Sequence, residues 1–177
     1  MLTIGFDFLS LSIKIKEQKV KLDIWDTCDQ EKFRFLINSF YRNSSFVILV
    51  YSIVDRKSFS DLETWLNEIK THSNPDIKII LIGNKVDLED KREVSKERGE
   101  KLCSEHNLCF FMETSAKAGF NAQNLFKAVG KILYEEHLKT NDIITRPGTK
   151  LTIAYISELT ETEVEEENNN RKKKCFC

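Results

Sequence analysis

Apolar and polar residues alternate near the start of the chain. Leu9, Leu11, Ile13 and Ile15 take every second position, and Val20, Leu22 and Ile24 do the same after a polar stretch at 17–19. A period of two sends successive side chains to opposite faces, so this pattern predicts two half-buried strands joined by a turn. Residues 46–51 and 77–82 are almost continuously apolar, as is the shorter run 109–112. Runs of that kind predict strands covered on both faces. Between them the spacing changes to three and four. Phe59, Leu62, Trp65, Leu66 and Ile69 form one stripe of a helix, whose start is expected at Ser58 with Asp61. Ser95 is placed to cap a second helix over 96–106, although Gly99 inside it costs about 1 kcal/mol relative to alanine. Leu125, Val129, Ile132 and Leu133 define a last helix ending near Leu138. Strands alternating with helices predict an α/β domain over residues 1–138 with a mostly parallel sheet.

After residue 138 the pattern fades. Residues 158–167 are strongly acidic, 168–170 are asparagines and 171–174 are basic. This composition predicts a flexible tail over 139–177. Within it, 151–156 reads either as a short strand or as an apolar linker. The length of 177 residues suits one domain plus such a tail, and an apolar content of 41% can supply its core. The formal charge of −1 offers no broad basic field, so a nucleic-acid partner is not expected. No apolar run reaches the ~18–20 residues of a membrane span, and the N-terminus has no signal-peptide pattern. The scattered Cys28, Cys103 and Cys109 suit reduced thiols in a cytoplasmic protein. Cys103, His106 and Cys109 are spaced like metal ligands, but three candidates without a second pair make a poor zinc site.

Candidate chemistry lies in the loops that follow strands, where ligands bind in sheets of this type. Three such loops are notable: residues 26–31, 84–87 and 113–117. A carboxylate accepts two hydrogen bonds side by side, which matches the N1–H and exocyclic amine of guanine. Adenine offers no such pair. Asp87 can therefore read guanine if it faces the base, with the stem of Lys85 over the ring and Asn84 tying adjacent loops. Alone, Asn-Lys-x-Asp is a weak signal, because asparagine and aspartate favour any turn. Its place after a buried strand, with Thr114, Ser115, Ala116 and Lys117 after the next, makes the joint signal strong.

Together with Trp25 and the loop 26–31, these segments resemble the successive motifs of Ras-superfamily small GTPases. Within that superfamily the likeness is to the Rab branch. Ile4-Gly5-Phe6-Asp7-Phe8 resembles the Rab switch I signature; Lys21-Leu22-Asp23-Ile24-Trp25, Lys32-Phe33-Arg34, Phe40-Tyr41-Arg42 and Leu49-Val50-Tyr51 resemble other Rab-distinguishing segments. The likeness runs over residues 3–138. It implies a P-loop NTPase-like small G-domain that binds GTP or GDP with Mg2+ and switches in vesicle transport. By resemblance, Thr3 and Asp26 serve magnesium, and Gln30 orients the attacking water. Asn84, Lys85 and Asp87 read guanine, and Ser115, Ala116 and Lys117 complete the base pocket. The implied partners are Rab effectors, an exchange factor, a GTPase-activating protein, a GDP-dissociation inhibitor and the prenylation machinery. Cys175 and Cys177 resemble the Cys-x-Cys ending on which Rab proteins carry two geranylgeranyl chains. Two chains anchor stably where one is marginal, and Arg171 with Lys172, Lys173 and Lys174 would add attraction to anionic lipid. That places the protein in the cytoplasm and on the cytoplasmic face of an endomembrane. The other reading of this end is an ordinary polar tail with two free thiols.

The sequence also departs from the family. None of its six glycines is followed five positions later by another, so the phosphate-gripping pattern Gly-x4-Gly-Lys-Ser/Thr is absent. Family chains begin with a strand, that loop and a helix; this sequence begins at switch I. The missing strand is central in the family sheet. Its loss is expected to leave two inner edges whose unpaired backbone groups cost roughly 1–3 kcal/mol each. An incomplete chain or a truncated product would each account for this. Asp29 replaces the switch II glycine, which adds a carboxylate near the phosphates and restricts the backbone. These departures leave GTPase activity open and point to impaired hydrolysis. The alternative is a non-catalytic, membrane-anchored interaction module.

Overall fold

The opening alternation folds as a hairpin. Strands β1 (Phe6–Ile15) and β2 (Gln18–Thr27) pair antiparallel from Phe6 opposite Thr27 to Ile15 opposite Gln18. Lys16 and Glu17 form the turn, with Lys16 at φ 53°. Leu11, Ile13 and Val20 pack against the core, whereas Leu9, on the same side, is 61% exposed. The computed structural model describes residues 6–27, 41–42, 44–139 and 151–157.

The continuous apolar runs become the centre of the sheet. Strand β3 (Phe46–Ser52) is buried throughout, and β4 (Lys78–Asn84) is buried at its five inner positions. Alternation then feeds two cores. Val47, Leu49 and Tyr51 face a cluster with Phe59, Leu62, Trp65, Leu66, Ile69 and Leu102. Phe46, Ile48 and Val50 face a second cluster with Leu22, Ile24, Leu125, Val129 and Leu133. Each such aliphatic side chain contributes about 1.5–3 kcal/mol on burial, so these two strands anchor the domain.

Helix α1 (Arg56–Ser60) and helix α2 (Leu62–His72) divide the expected single stripe. Ser58 is not the cap. Asp55 is extended and its carboxylate accepts from Lys57 N at 2.9 Å and Ser58 N at 3.3 Å. A carboxylate at this position satisfies two otherwise unpaired donors, and it outcompetes the serine three residues on. Ser58 is buried instead, donating to Asp55 O at 2.8 Å and accepting from Ser52 N at 3.0 Å. Helix α3 (Lys96–Glu105) starts after Ser95 as expected. Its Gly99 has a packing reason: a Cβ there would stand 2.6 Å from the Phe111 ring and 2.8 Å from the Tyr51 hydroxyl. Strand β5 (Phe110–Glu113) and helix α4 (Ala122–Lys139) follow.

One finding differs from the expected tail. Leu151–Ser157 forms a sixth strand, β6, and the sheet order is β1-β2-β6-β3-β4-β5. β6 runs parallel to both neighbours, from Leu22 opposite Leu151 to Thr27 opposite Ile156 on one side, and from Phe46 opposite Ile153 to Val50 opposite Ser157 on the other. The two inner edges expected to stay unpaired are both paired, by β6. The segment suits the place: it is uncharged and holds Thr152, Ile153, Tyr155 and Ile156, residue types that favour strands. The rest of the expected tail, 140–150 and 158–177, lies outside the described residues.

Candidate functional site

Strands β2 to β6 run parallel, so their C-terminal ends share one edge. Crossover connections of this kind leave such an edge open for ligands. The loops at 84–87 and 113–117 meet there. Val86 N donates to Thr114 O at 3.2 Å, and Thr114 N donates to Gly83 O at 2.9 Å. Side chains tie them more specifically. Asn84 Oδ1 accepts from Ala116 N at 3.1 Å and from Thr114 Oγ1 at 3.2 Å. Ser115 Oγ donates to Asp87 Oδ1 at 2.5 Å and accepts from Ala118 N at 3.0 Å. Asn84, Asp87, Ser115 and Ala116 are thus brought into one network, with Lys85 and Lys117 on the same two loops.

The backbone is strained where the network turns. Lys85 sits at φ 71° and ψ 32°, in the left-handed region. That conformation costs a residue with a Cβ about 1–2 kcal/mol. It is held by the hydrogen bond from Leu88 N to Lys85 O, 2.9 Å, and it turns the chain so that Asp87 stays exposed. Strain of this kind is typical of ligand-binding loops. The opposite loop needs its own left-handed residues, Gly119 at φ 70° and Asn121 at φ 60°. These bring Ser115 N to Phe120 O at 3.1 Å and Asn121 Nδ2 to Glu113 O at 2.9 Å.

Electrostatics favours an ionised Asp87. The hydrogen bond from Ser115 holds its carboxyl below the ordinary aspartate value, and Lys117 and Lys85 act in the same direction more weakly. Asp87 itself is exposed, so its carboxylate is an acceptor open to solvent. Beneath the loops, Arg92 bridges two carboxylates: Nη1 donates to Glu113 Oε1 at 2.7 Å, and Nε and Nη2 donate to the two oxygens of Glu89 at 2.7 Å each. Sequence reading missed Arg92 because nothing in its spacing marks a partner 21 residues away. It missed the support from Phe120 and Asn121 as well, although Gly119 before them is an ordinary turn signal.

A sequence profile of the Ras family matches residues 1–135. The chain belongs to the Ras family. It is of the Rab type: it is 43% identical over 129 residues to the cattle (Bos taurus) protein "Ras-related protein Rab-8A", covering 73% of this chain and 62% of that protein. The rat (Rattus norvegicus) Rab-8A is 45% identical over 124 residues, covering 70% of this chain and 59% of that protein. The chain therefore spans about three fifths of the length of these relatives.

The remaining site residues of this Ras-family chain divide in two. Asp26 lies at the C-terminal end of β2, half-buried, opposite Asp7 on β1 and Tyr155 on β6. β6 separates it from β3, so it stands on the far half of the sheet from the 84–87 loop. Thr3, Gln30 and Asp29 lie outside the described residues, as do Cys175 and Cys177. The donor set fits a guanine base: an ionised, exposed carboxylate on a rigid turn, with its neighbours tied. Among the described residues it does not extend to the phosphates or magnesium. The sequence has no Gly-x4-Gly-Lys loop, and among the described residues no group of three His, Cys, Asp or Glu could hold a metal ion. Of the three residues judged a poor zinc site, His106 has its Nε2 3.0 Å from Glu63 Oε1 and its Nδ1 3.3 Å from Lys70 Nζ. A surface groove of about 670 Å³ lies between α3 and β5, lined by Cys103, Leu108, Phe111 and Phe120. It lies away from the 84–87 loop, whereas the edge where the two loops cross-link carries the exposed Asp87 carboxylate, so the loop edge is the better candidate. No helix among the described residues is long and apolar enough to cross a membrane.

Proposed function

We propose that this chain is a Rab-like guanine-nucleotide-binding protein of vesicle transport, in which base recognition is built and phosphate chemistry is impaired. The observation that carries the reading is the cross-linked pair of loops, with Asn84 Oδ1 bridging Thr114 and Ala116 and Ser115 fixing Asp87. Asp87 takes the N1–H and amine of guanine, Lys85 covers the ring, and Ala116 and Lys117 border the base. Thr3 and Asp26 are the metal-side residues, and Gln30 is the residue that would orient water. Asp29 in place of glycine opposes the phosphates by like charge.

Partner binding has its own support. Phe8 is 46% exposed on the outer strand β1, its ring centroid 4.7 Å from that of Trp25, and Leu9 is exposed on the opposite face of the strand. Exposed aromatic and aliphatic side chains on an edge strand suit a protein effector. The exposed Phe8–Trp25 pair favours the second reading, a non-catalytic interaction module anchored through Cys175 and Cys177 on the cytoplasmic face of an endomembrane. Mass spectrometry of the native protein should find both cysteines prenylated; an unmodified C-terminal peptide refutes the anchor. The nucleotide reading is tested by displacing a fluorescent GDP. GDP and GTP should compete, ATP should not, and Asp87→Asn should abolish the difference. Equal competition by ATP, or the same selectivity in Asp87→Asn, contradicts it.

A further inference from the structure

The β1–β2 turn carries charge that local stability does not explain. Residues 14–21 hold four lysines and one glutamate, in a chain whose formal charge is −1. Lys14, Lys16, Lys19 and Lys21 are all exposed. Lys14 stands directly opposite Lys19 across the strand pair, and Lys21 is two residues further along the same face. Like charges directly opposite each other destabilise a strand pair. Lys16 takes the first turn position at φ 53°, a place that two-residue hairpins usually give to glycine, asparagine or aspartate. Two acidic groups are near. Glu17, 3.3 Å from Lys14 Nζ, is 92% exposed, and exposed pairs are worth little. Asp23 lies 3.1 Å from Lys21 Nζ, at the end of the cluster away from the turn. The turn is also fixed to the end of the last helix. A Cβ at Gly130 of α4 would overlap Ile13 Cδ1, so helix and strand are in close contact there. Four residues on, the Tyr134 ring has Lys16 Nζ 5.8 Å from its centroid. One turn further on the same face stands Leu138, 52% exposed. β2 runs from Gln18 at the turn toward Thr27, parallel to β6, β3 and β4. The lysines and Leu138 therefore share the end of the domain opposite the 84–87 loop.

We propose that this end of the domain is a docking surface for an anionic lipid membrane. The lysines meet the headgroups, and Leu138 enters the boundary between headgroups and acyl chains. An anionic surface neutralises the facing pair Lys14 and Lys19, whose repulsion the isolated hairpin bears. Lysine is a point charge that suits a diffuse negative surface, whereas a specific phosphate grip favours the forked guanidinium of arginine. Residues 14–21 contain no arginine and no aromatic side chain, which favours lipid over nucleic acid. The surface is separate from the C-terminal cysteines and independent of nucleotide binding.

The test uses the full chain with no lipid attached and with Arg171, Lys172, Lys173 and Lys174 changed to glutamine, which removes the tail's own attraction to charged vesicles. Co-sedimentation is measured with vesicles of phosphatidylserine and phosphatidylcholine in equal parts, and with phosphatidylcholine alone. Binding is expected to the charged vesicles only, and it should weaken as salt rises. Adding Lys16→Gln and Lys19→Gln should lower the partition coefficient at least about tenfold, since each lysine near such a surface contributes on the order of fivefold. Lys19→Gln also relieves the repulsion with Lys14, so Tm should not fall. Leu138→Gln should lower the coefficient about threefold or more. Absence of binding to the charged vesicles, or indifference to the lysine pair, overturns the proposal. So does a single-stranded RNA that binds as tightly with the same lysine dependence, which would make this a nucleic-acid surface. A second measurement reads orientation without altering the lysines. In a chain with its five native cysteines changed to serine, an environment-sensitive dye at Leu138→Cys should shift to the blue on the charged vesicles. The same dye at Asp90→Cys, exposed beside the base loops, should not. Equal responses, or none, refute the docking surface.

Discussion

Replacing Asn84 by alanine removes the side chain that links the two loops of the site. Its Oδ1 accepts twice, from Thr114 Oγ1 and from Ala116 N. These losses differ in size. Ala116 is exposed, so its N–H can turn to water, and that bond sits near the lower end of the usual ~0.5–1.5 kcal/mol. Thr114 is 6% exposed, and a buried hydroxyl without its partner costs about 1–3 kcal/mol. The sum is about 2 kcal/mol, enough to lower Tm by roughly 4–8 °C in a domain of this size. Asn84→Asp keeps an acceptor at the same place and should lose less than half as much. Urea unfolding of the three chains, followed by Trp fluorescence, measures this. If Asn84→Ala stays within about 0.5 kcal/mol of the parent, the bridge does not hold the loops together and the reasoning fails.

Other changes probe the same edge. Asp87 has its folded pKa lowered from the ordinary 3.8, chiefly by Ser115; its contribution to stability is therefore present above that value and lost as pH falls through the folded one. Ser115→Ala should raise the Asp87 pKa, read by carboxyl NMR titration, and flatten the acid limb of a stability–pH curve; an unmoved titration counts against the bond. Arg92→Met should destabilise by about 2–3 kcal/mol in urea, since it leaves the nearly buried Glu113 unpaired, and Arg92→Lys should recover only part because it lacks the fork. Equal stability of Arg92→Met and the parent would show that the clamp is idle. Asp29→Gly should raise GTP turnover if the carboxylate opposes the phosphates, and equal rates would sink that idea.

Much of the frame was legible in the sequence, for reasons that differ by element. β1 and β2 follow from strict alternation, and β3 and β4 from runs that no half-exposed strand could carry. The cap of α1 was misread because Asp55 and Ser58 both suit it, and only the burial of Ser58 beneath β3 decides between them. The guanine-side loops were legible because two short motifs follow two apolar runs, although only β4 is buried and β5, expected to be covered on both faces, is a half-buried edge strand. Arg92 was not, since its partner Glu113 is close only once β4 and β5 pair. β6 was open: 151–156 could read as strand or linker, because apolar pattern alone does not say whether a sheet has room. The pairing of Leu22 with Leu151 is a property of the whole fold.

The central claim is that the base-reading half of the site is built. A nucleoside without phosphates isolates that half. Titration of the 15N-labelled full chain with guanosine should shift the amides of Asp87, Ala116 and Lys117, adenosine should leave them in place, and Asp87→Asn should remove the guanosine response. Shifts of equal size with adenosine, or none with guanosine, would contradict the account.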